Sequence, residues 1–222
     1  VFKVAHGPID VKIYPTSDLS SGVPPVPSAR PHRRLEREQV LTAALDMVAE
    51  HGLGRLTMAS LATRLGTSGG HLLYYFKTRD GLLLEAVRWS EAGYAAQRAP
   101  LLAQAADHDA RERPDAEQVA RFADVYLATD ERDPRWQLWL ELWARSPYQP
   151  ELAAAQREID AAWHADLVRL LTACRPAYDD HVGLSERLRA MWDGFSVGIV
   201  TGGGRDLRDA ALRHTRALLP EL

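Results

Sequence analysis

The side chains best suited to chemistry gather in one short stretch, Gly66-Thr67-Ser68-Gly69-Gly70-His71-Leu72. His71 can exchange a hydrogen bond with a base edge, and the hydroxyls of Thr67 and Ser68 suit phosphate oxygens. Gly69 and Gly70 offer no side chains, and each costs about 1 kcal/mol of helix propensity relative to alanine. Two explanations stand: close approach of the backbone to DNA, or simple tolerance at a helix start. A second set is aromatic. Trp136, Trp139 and Trp143 fall at i, i+3 and i+7, with Phe122 and Tyr126 forming a similar stripe just before them and Trp89, Trp163 and Trp192 elsewhere. Core packing accounts for any one of these rings. Six tryptophans in residues 83–222 are nonetheless generous for packing alone, and a mostly apolar cavity with a few polar groups is the usual small-molecule site. Ring faces also suit a cationic ligand, with Glu141 as a countercharge.

Other constellations carry less. Gly198 with Gly202 to Gly204 suggests a phosphate loop, but no Gly-Lys-Ser/Thr follows and no strand precedes it. A link between two final helices fits better. Asp160 and His164 are four apart and could share a metal, although a surface or capping pair is the commoner use of that spacing. No Cys/His set has zinc spacing, and no serine sits in a nucleophile elbow. No metal, cofactor or enzymatic activity is therefore expected.

These groups sit in a chain of ordinary globular composition. It has 222 residues, 46% hydrophobic and 26% charged, with a formal net charge of −3. That excludes disordered, collagenous and disulfide-scaffold classes. No apolar run is long enough to cross a membrane, and no basic stretch leads into an apolar one as a secretory signal would. A single cysteine, Cys174, favours a reducing, cytoplasmic setting. Residues 1–34 read as an extended arm, with Ile9, Val11 and Ile13 alternating in a strand-like way before a run rich in serine and proline.

Beyond the arm the periodicity is helical, and the fold class is all-α. Val40, Ala44, Met47 and Val48 define a first helix stopped by Gly52. Thr57 caps a segment over 58–65, Ser68 one running to 75, and Thr78 a long fourth helix. Asp133-Pro134 starts a helix that Ser146-Pro147 ends. A further one spans about 151–174. Ser185 and Asp206 are the expected caps of the last two.

The segments over 58–65 and 69–75 have the helix-turn-helix arrangement, in which the second helix can enter a major groove. Ala62 supplies the small residue at the crossing, Gly66 the residue tolerant of positive φ, and Leu61, Leu65, Leu72 and Tyr75 the packing between the pair. Residues 28–82 carry a net +3, residues 83–222 a net −6, and residues 1–27 balance. A basic head on an acidic body is the asymmetry of a module that meets phosphate. The rival reading is an all-α ligand-binding or enzymatic protein whose helix-turn-helix is only structural.

The blocks Leu56-Thr57-Met58-Ala59-Ser60-Leu61-Ala62, Leu65-Gly66-Thr67-Ser68 and Tyr75-Phe76-Lys77-Thr78-Arg79-Asp80-Gly81-Leu82 resemble the DNA-binding domain of TetR-family transcriptional regulators. The tryptophan-rich region and Asp193-Gly194-Phe195 resemble the subgroup that includes the choline-responsive repressor of betaine synthesis. The resemblance implies a homodimeric repressor: a helix-turn-helix domain over 35–82 on a palindromic operator, and a domain over 83–222 that binds a small-molecule effector and dimerises. It also implies that Thr57 and Tyr75 touch the DNA backbone or brace the recognition helix. Arg79 takes a position whose cation meets phosphate, and Lys77 lies in the same block. Leu73 stands where the family commonly has an aromatic, so Tyr74 is the substitute. Together with Thr67, Ser68, Gly69, Gly70 and His71, these form the expected DNA surface, with Arg30, Arg33 and Arg34 reaching into a minor groove. Trp89, Phe122, Tyr126, Trp136, Trp139, Trp143 and Trp163 are the expected pocket. Leu188, Met191, Trp192, Phe195 and Ile199, with Leu207, Ala211, His214 and Leu218, are the expected dimer faces.

Overall fold

The computed structural model describes residues 36–106 and 115–219. The expected arm, Arg30, Arg33 and Arg34 among it, lies outside the described residues. Helix α1 (Arg37–His51) opens with a reciprocal cap between Glu36 and Gln39 and buries Val40, Leu41, Ala44, Met47 and Val48 on one face. Gly52, at φ 78°, ends it, and a 3₁₀ turn (Leu53–Arg55) follows. Helix α2 (Met58–Leu65) starts where Thr57 and Ser60 satisfy each other's backbone N–H groups. Gly66 then takes the left-handed conformation, φ 64° and ψ 33°, which turns the chain into α3 (Gly69–Phe76). Ser68 caps α3 by accepting from the His71 N–H.

Helix α4 (Arg79–Ala106) has 28 residues, about 42 Å at 1.5 Å per residue. The boundary expected between 82 and 83 therefore falls inside one continuous helix, and head and body share it. Gly81 in its first turn lies so close to the carbonyl of Phe76 that an added Cβ would sit 2.1 Å from that oxygen. The close approach pins the start of α4 to the end of α3.

The body adds α5 (Asp115–Tyr126), α6 (Pro134–Arg145), α7 (Pro150–Cys174), α8 (His181–Gly198) and α9 (Gly204–Ala217). Helix α4 packs against α5, α6 and α7, while α8 and α9 close the far side against α7 and α5. Among the described residues there is no strand, and one apolar core runs from Val40 to Leu219.

Two starts differ from expectation. Helix α8 begins at His181 because the Asp180 carboxylate accepts from the Gly183 N–H at 2.8 Å. Ser185 is thereby left inside the helix, where its hydroxyl meets His164 Nδ1 at 3.0 Å. Asp206 lies within the first turn of α9 rather than capping it, because Ile199–Gly203 continues α8 as a π turn with Gly202 at φ 119°.

Candidate functional site

The exposed edge of the head is built by α3. Leu73 and Tyr74 on it are 44% and 70% exposed. The Lys77 ammonium stands 5.2 Å over the Tyr74 ring. Thr67 Oγ1 bonds His71 Nδ1 at 2.9 Å, and the Tyr75 ring packs 5.2 Å from the imidazole. His71 is thus held in one orientation with Nε2 as its remaining polar atom. Among the described residues nothing lies within 4 Å of a Cβ built on Gly69, and a Cβ on Gly70 would meet only Ser68 Oγ at 3.9 Å. The packing of the described residues gives no reason for either glycine. Lys77, at φ 61°, is the non-glycine residue at positive φ among the described residues.

Three other cations of the head are ion-paired. Arg37 is ion-paired with Glu85, Arg64 with Glu50, and Arg79 with Glu141 at 3.1 Å. Arg79, expected at phosphate, also donates to the carbonyl of Leu56 at 3.5 Å. Its partner Glu141 belongs to α6 and accepts from Arg145 at 2.7 Å, and Arg145 in turn pairs with Asp80. Gln137, one turn earlier on α6, accepts from the N–H of Leu53 at 3.3 Å. One edge of α6 therefore holds the first turn of α4 and the 3₁₀ turn of the head. Glu141, expected as a countercharge for the tryptophans, faces the head instead. It is four positions before Arg145 and five after Trp136, so it lies off the stripe that the tryptophans share.

The other face of α6 carries those tryptophans. Asp133 fixes the start of the helix: its carboxylate accepts from the N–H of Trp136 and from both the N–H and the hydroxyl of Thr129. Trp136 and Trp143 meet edge to face at 5.8 Å, and Trp139 lies 5.9 Å from Trp143. Tyr126 packs on Trp136, Trp163 and Trp192, and Phe122 on Trp163 and Trp192. Phe122 stands behind the cluster as core, and Trp89 packs on the core without lining the cavities beside α6.

Two spaces adjoin. The inner one, lined by Tyr126, Arg135, Trp136, Trp139, Trp143, Trp163 and Asp160, has a volume of only about 10 Å³. The outer is a groove of about 520 Å³, with Trp143, Asp160, Asp193, Arg157, Arg189 and Gln156 on its walls. Asp160 accepts from Arg189 at 3.0 Å, and Asp193 from the phenol of Tyr126 at 2.5 Å. Burial holds both carboxylates above their ordinary range, against the pull of Arg189. It also holds the Tyr126 phenol protonated, so that it remains a donor to Asp193. Partly desolvated carboxylates beside an indole offer a cation both charge and a ring face.

Sequence reasoning missed Glu91, Arg135 and Arg98. Glu91 is buried on α4, and its two oxygens accept from Arg135 Nε, Trp139 Nε1 and Trp163 Nε1, each at 2.7 Å. Arg98 pairs with Asp166 at 2.6 Å and lies 4.0 Å over the Trp163 ring. A signal existed: Leu83, Val87 and Glu91 follow one another at i, i+4 and i+8, which places a carboxylate on the buried stripe of α4.

Residues 40–86 match the bacterial regulatory proteins of the tetR family, and residues 115–222 match the C-terminal domain of BetI-type transcriptional repressors. The HTH-type transcriptional regulator BetI of Stenotrophomonas maltophilia is 31% identical over 170 residues, covering 76% of this chain and 84% of that protein. The chain belongs to the TetR family. BetI of Burkholderia cenocepacia is 30% identical over 187 residues, 80% of this chain and 89% of its own length. Among solved structures, a transcriptional regulator from Saccharomonospora viridis in complex with choline superposes with a TM-score of 0.70 at 21% identity, covering 82% of this chain and 94% of that one. A TetR regulator from Haloarcula marismortui gives 0.67 at 19%, with coverage of 82% and 94%. Both show the shared fold. The protein is thus a DNA-binding transcriptional regulator of the TetR family, with a repressor-type C-terminal domain. Among the described residues no helix is long and apolar enough to cross a membrane.

In this TetR-family chain the last two helices spend much of their apolar surface inside the protomer. Leu188, Trp192, Ile199 and Ala211, expected at a dimer interface, are fully buried in the chain's own core. Trp192 also donates to Thr215 across α8 and α9 at 2.8 Å. The most continuous apolar stripe of a helix goes to the core it folds on, and only its flank remains for a partner. Met191, Phe195 and Leu207 are half-buried, His214 is exposed and stacked on Phe195 at 5.7 Å, and Leu218 is 43% exposed.

Proposed function

We propose that this protein is a cytoplasmic, homodimeric repressor that leaves a palindromic operator when a small quaternary-ammonium compound enters the groove beside α6. The observation that carries this reading is the double commitment of α6. One face lines the aromatic cluster and the groove with Trp136, Trp139 and Trp143, and the other holds the head through Gln137, Glu141 and Arg145. A ligand that shifts α6 must disturb the contacts that set the attitude of the head. The coupling is as large as the difference in ligand affinity between the two attitudes.

On this reading a trimethylammonium head lies against Trp143 between Asp160 and Asp193, and a hydroxyl or carboxylate tail points toward Arg189 and Arg157. The choline complex of the Saccharomonospora viridis regulator supports that ligand class. The DNA surface comprises Thr57, Thr67, Ser68, Gly69, Gly70, His71, Tyr74, Tyr75 and Lys77, with Arg33 and Arg34 added from the arm. Arg79 joins them only by leaving Glu141. The dimer forms on the flank of α8 and α9 that Met191, Phe195, Leu207, His214 and Leu218 supply.

Fluorescence anisotropy with a labelled fragment from upstream of the protein's own gene tests the proposal. Salt-dependent binding that choline reverses is the expected result. Binding that choline leaves unchanged rejects the effector class, and no binding at any salt concentration leaves the helix-turn-helix purely structural.

A further inference from the structure

The inner aromatic box already contains a cation, and it is the chain's own. The Arg135 guanidinium carbon lies 4.3 Å from the centroid of Tyr94, 5.0 Å from Trp163, 5.6 Å from Trp136 and 5.7 Å from Tyr126. Its Nε bonds Glu91, and another nitrogen donates to the carbonyl of Tyr126 at 2.7 Å. The side chains of Arg135 and Glu91 are 4% and 7% exposed. The space left, about 10 Å³, is at the limit of what one water needs.

A buried ion pair by itself requires no aromatic lining, and apolar residues of similar volume often replace such a pair without loss. Four rings converging on one guanidinium, with a carboxylate behind it, is instead the arrangement by which aromatic cages bind organic cations. Glu91 already balances the charge of Arg135, so it offers a second cation no unpaired carboxylate. Asp160 and Trp143 border the inner box and the outer groove alike.

We propose that Arg135 is a resident cation: it fills the inner seat of the aromatic cluster and confines the ammonium head of an effector to the outer groove. Arg135 is therefore a specificity-determining residue, because it leaves room for one cationic head where the aromatic cluster could hold two. The outer half of this statement rests on the effector class proposed above; the inner half rests on Arg135 and Glu91 alone.

Chemical rescue separates the two. In the full-length protein, Arg135→Ala should lower the melting temperature by on the order of 10 °C. Methylguanidinium, the missing end of the side chain, should restore much of that loss in a saturable way, and sodium chloride at matched concentration should not. The wild type should show no such shift, and neither should Glu91→Gln/Arg135→Ala. Calorimetric titration with choline should give one site per wild-type chain and two in Arg135→Ala. Absence of rescue, or equal rescue in the double variant, overturns the resident cation. Rescue without any choline site in the wild type keeps the resident cation and removes the effector reading instead. If Arg135→Ala does not fold, Arg135→Lys and Arg135→Met decide. Lysine should retain more of the wild-type stability than the apolar methionine, and the reverse order overturns the proposal.

Discussion

The head and the body of this regulator handle positive charge differently. On the head, Lys77 stands exposed over an exposed Tyr74, and Arg55 is exposed at the end of the 3₁₀ turn. In the body, Arg98 and Arg135 are buried under indole faces and matched by Asp166 and Glu91. An exposed cation contributes little to folding but remains available to phosphate. A buried, paired one contributes nothing to an outside partner but becomes indispensable to its own surroundings. Between the two lies Arg79, a head residue held by a body carboxylate. The +3 of residues 28–82 therefore overstates the charge on display, because Arg37 and Arg79 are paired with Glu85 and Glu141, which lie outside that stretch.

The largest expected effect is in the body. Glu91→Ala removes the acceptor of three buried donors and leaves Arg135 unpaired, at a cost of about 3–5 kcal/mol in urea unfolding. A loss below about 1 kcal/mol would show that the body's buried charge is as dispensable as the head's exposed charge.

Next in size is the pH dependence of effector binding. Asp160 and Asp193 are held above the ordinary carboxylate range by burial, so the folded protein retains protons that the unfolded chain has already lost. Stability through these two groups is therefore greatest in acid and falls as pH rises from about 4. A bound cation favours their ionised form, so choline affinity should rise with pH over the same window, by up to about tenfold per unit for each proton released. Flat affinity from pH 4 to 7 would detach the ligand from this pair.

In the head, Gly69→Ala and Gly70→Ala have room for their methyl groups and should each stabilise the free protein by about 1 kcal/mol. Both should nevertheless weaken operator binding, as measured by anisotropy. Tighter binding would mean that the glycines are merely tolerated. Smallest is Glu141→Gln, which frees Arg79 for phosphate. Operator affinity should rise about two- to fivefold, in keeping with a part-exposed ion pair, while choline releases the DNA less completely. Unchanged values on both counts would mean that α6 does not couple body to head.

The elements were legible in the sequence where their cause is local. Thr57, Ser68 and Asp133 cap helices by reaching backbone groups three residues on, and Gly66 turns left-handed because a residue without Cβ does so without penalty. Where two local choices compete, the sequence alone does not decide: Asp180 starts α8 ahead of Ser185, whose hydroxyl meets His164 on another helix. The candidate residues on α3 could be named from their types, but the inward turn of Arg79 could not, since its partner is 62 positions away.

What the sequence determined by itself was the helical periodicity, the turn between α2 and α3, and the aromatic stripe of α6. All three follow from interactions within a few residues. What only the tertiary structure decided was how the charges and the rings are paired. Glu91 rather than Glu141 stands behind the tryptophans, Arg135 occupies their centre, and Trp192 turns into the core rather than toward a second chain. A carboxylate selects its cation, and a ring its neighbour, by distance and desolvation after the helices have packed. Spacing along the chain carries no record of that choice.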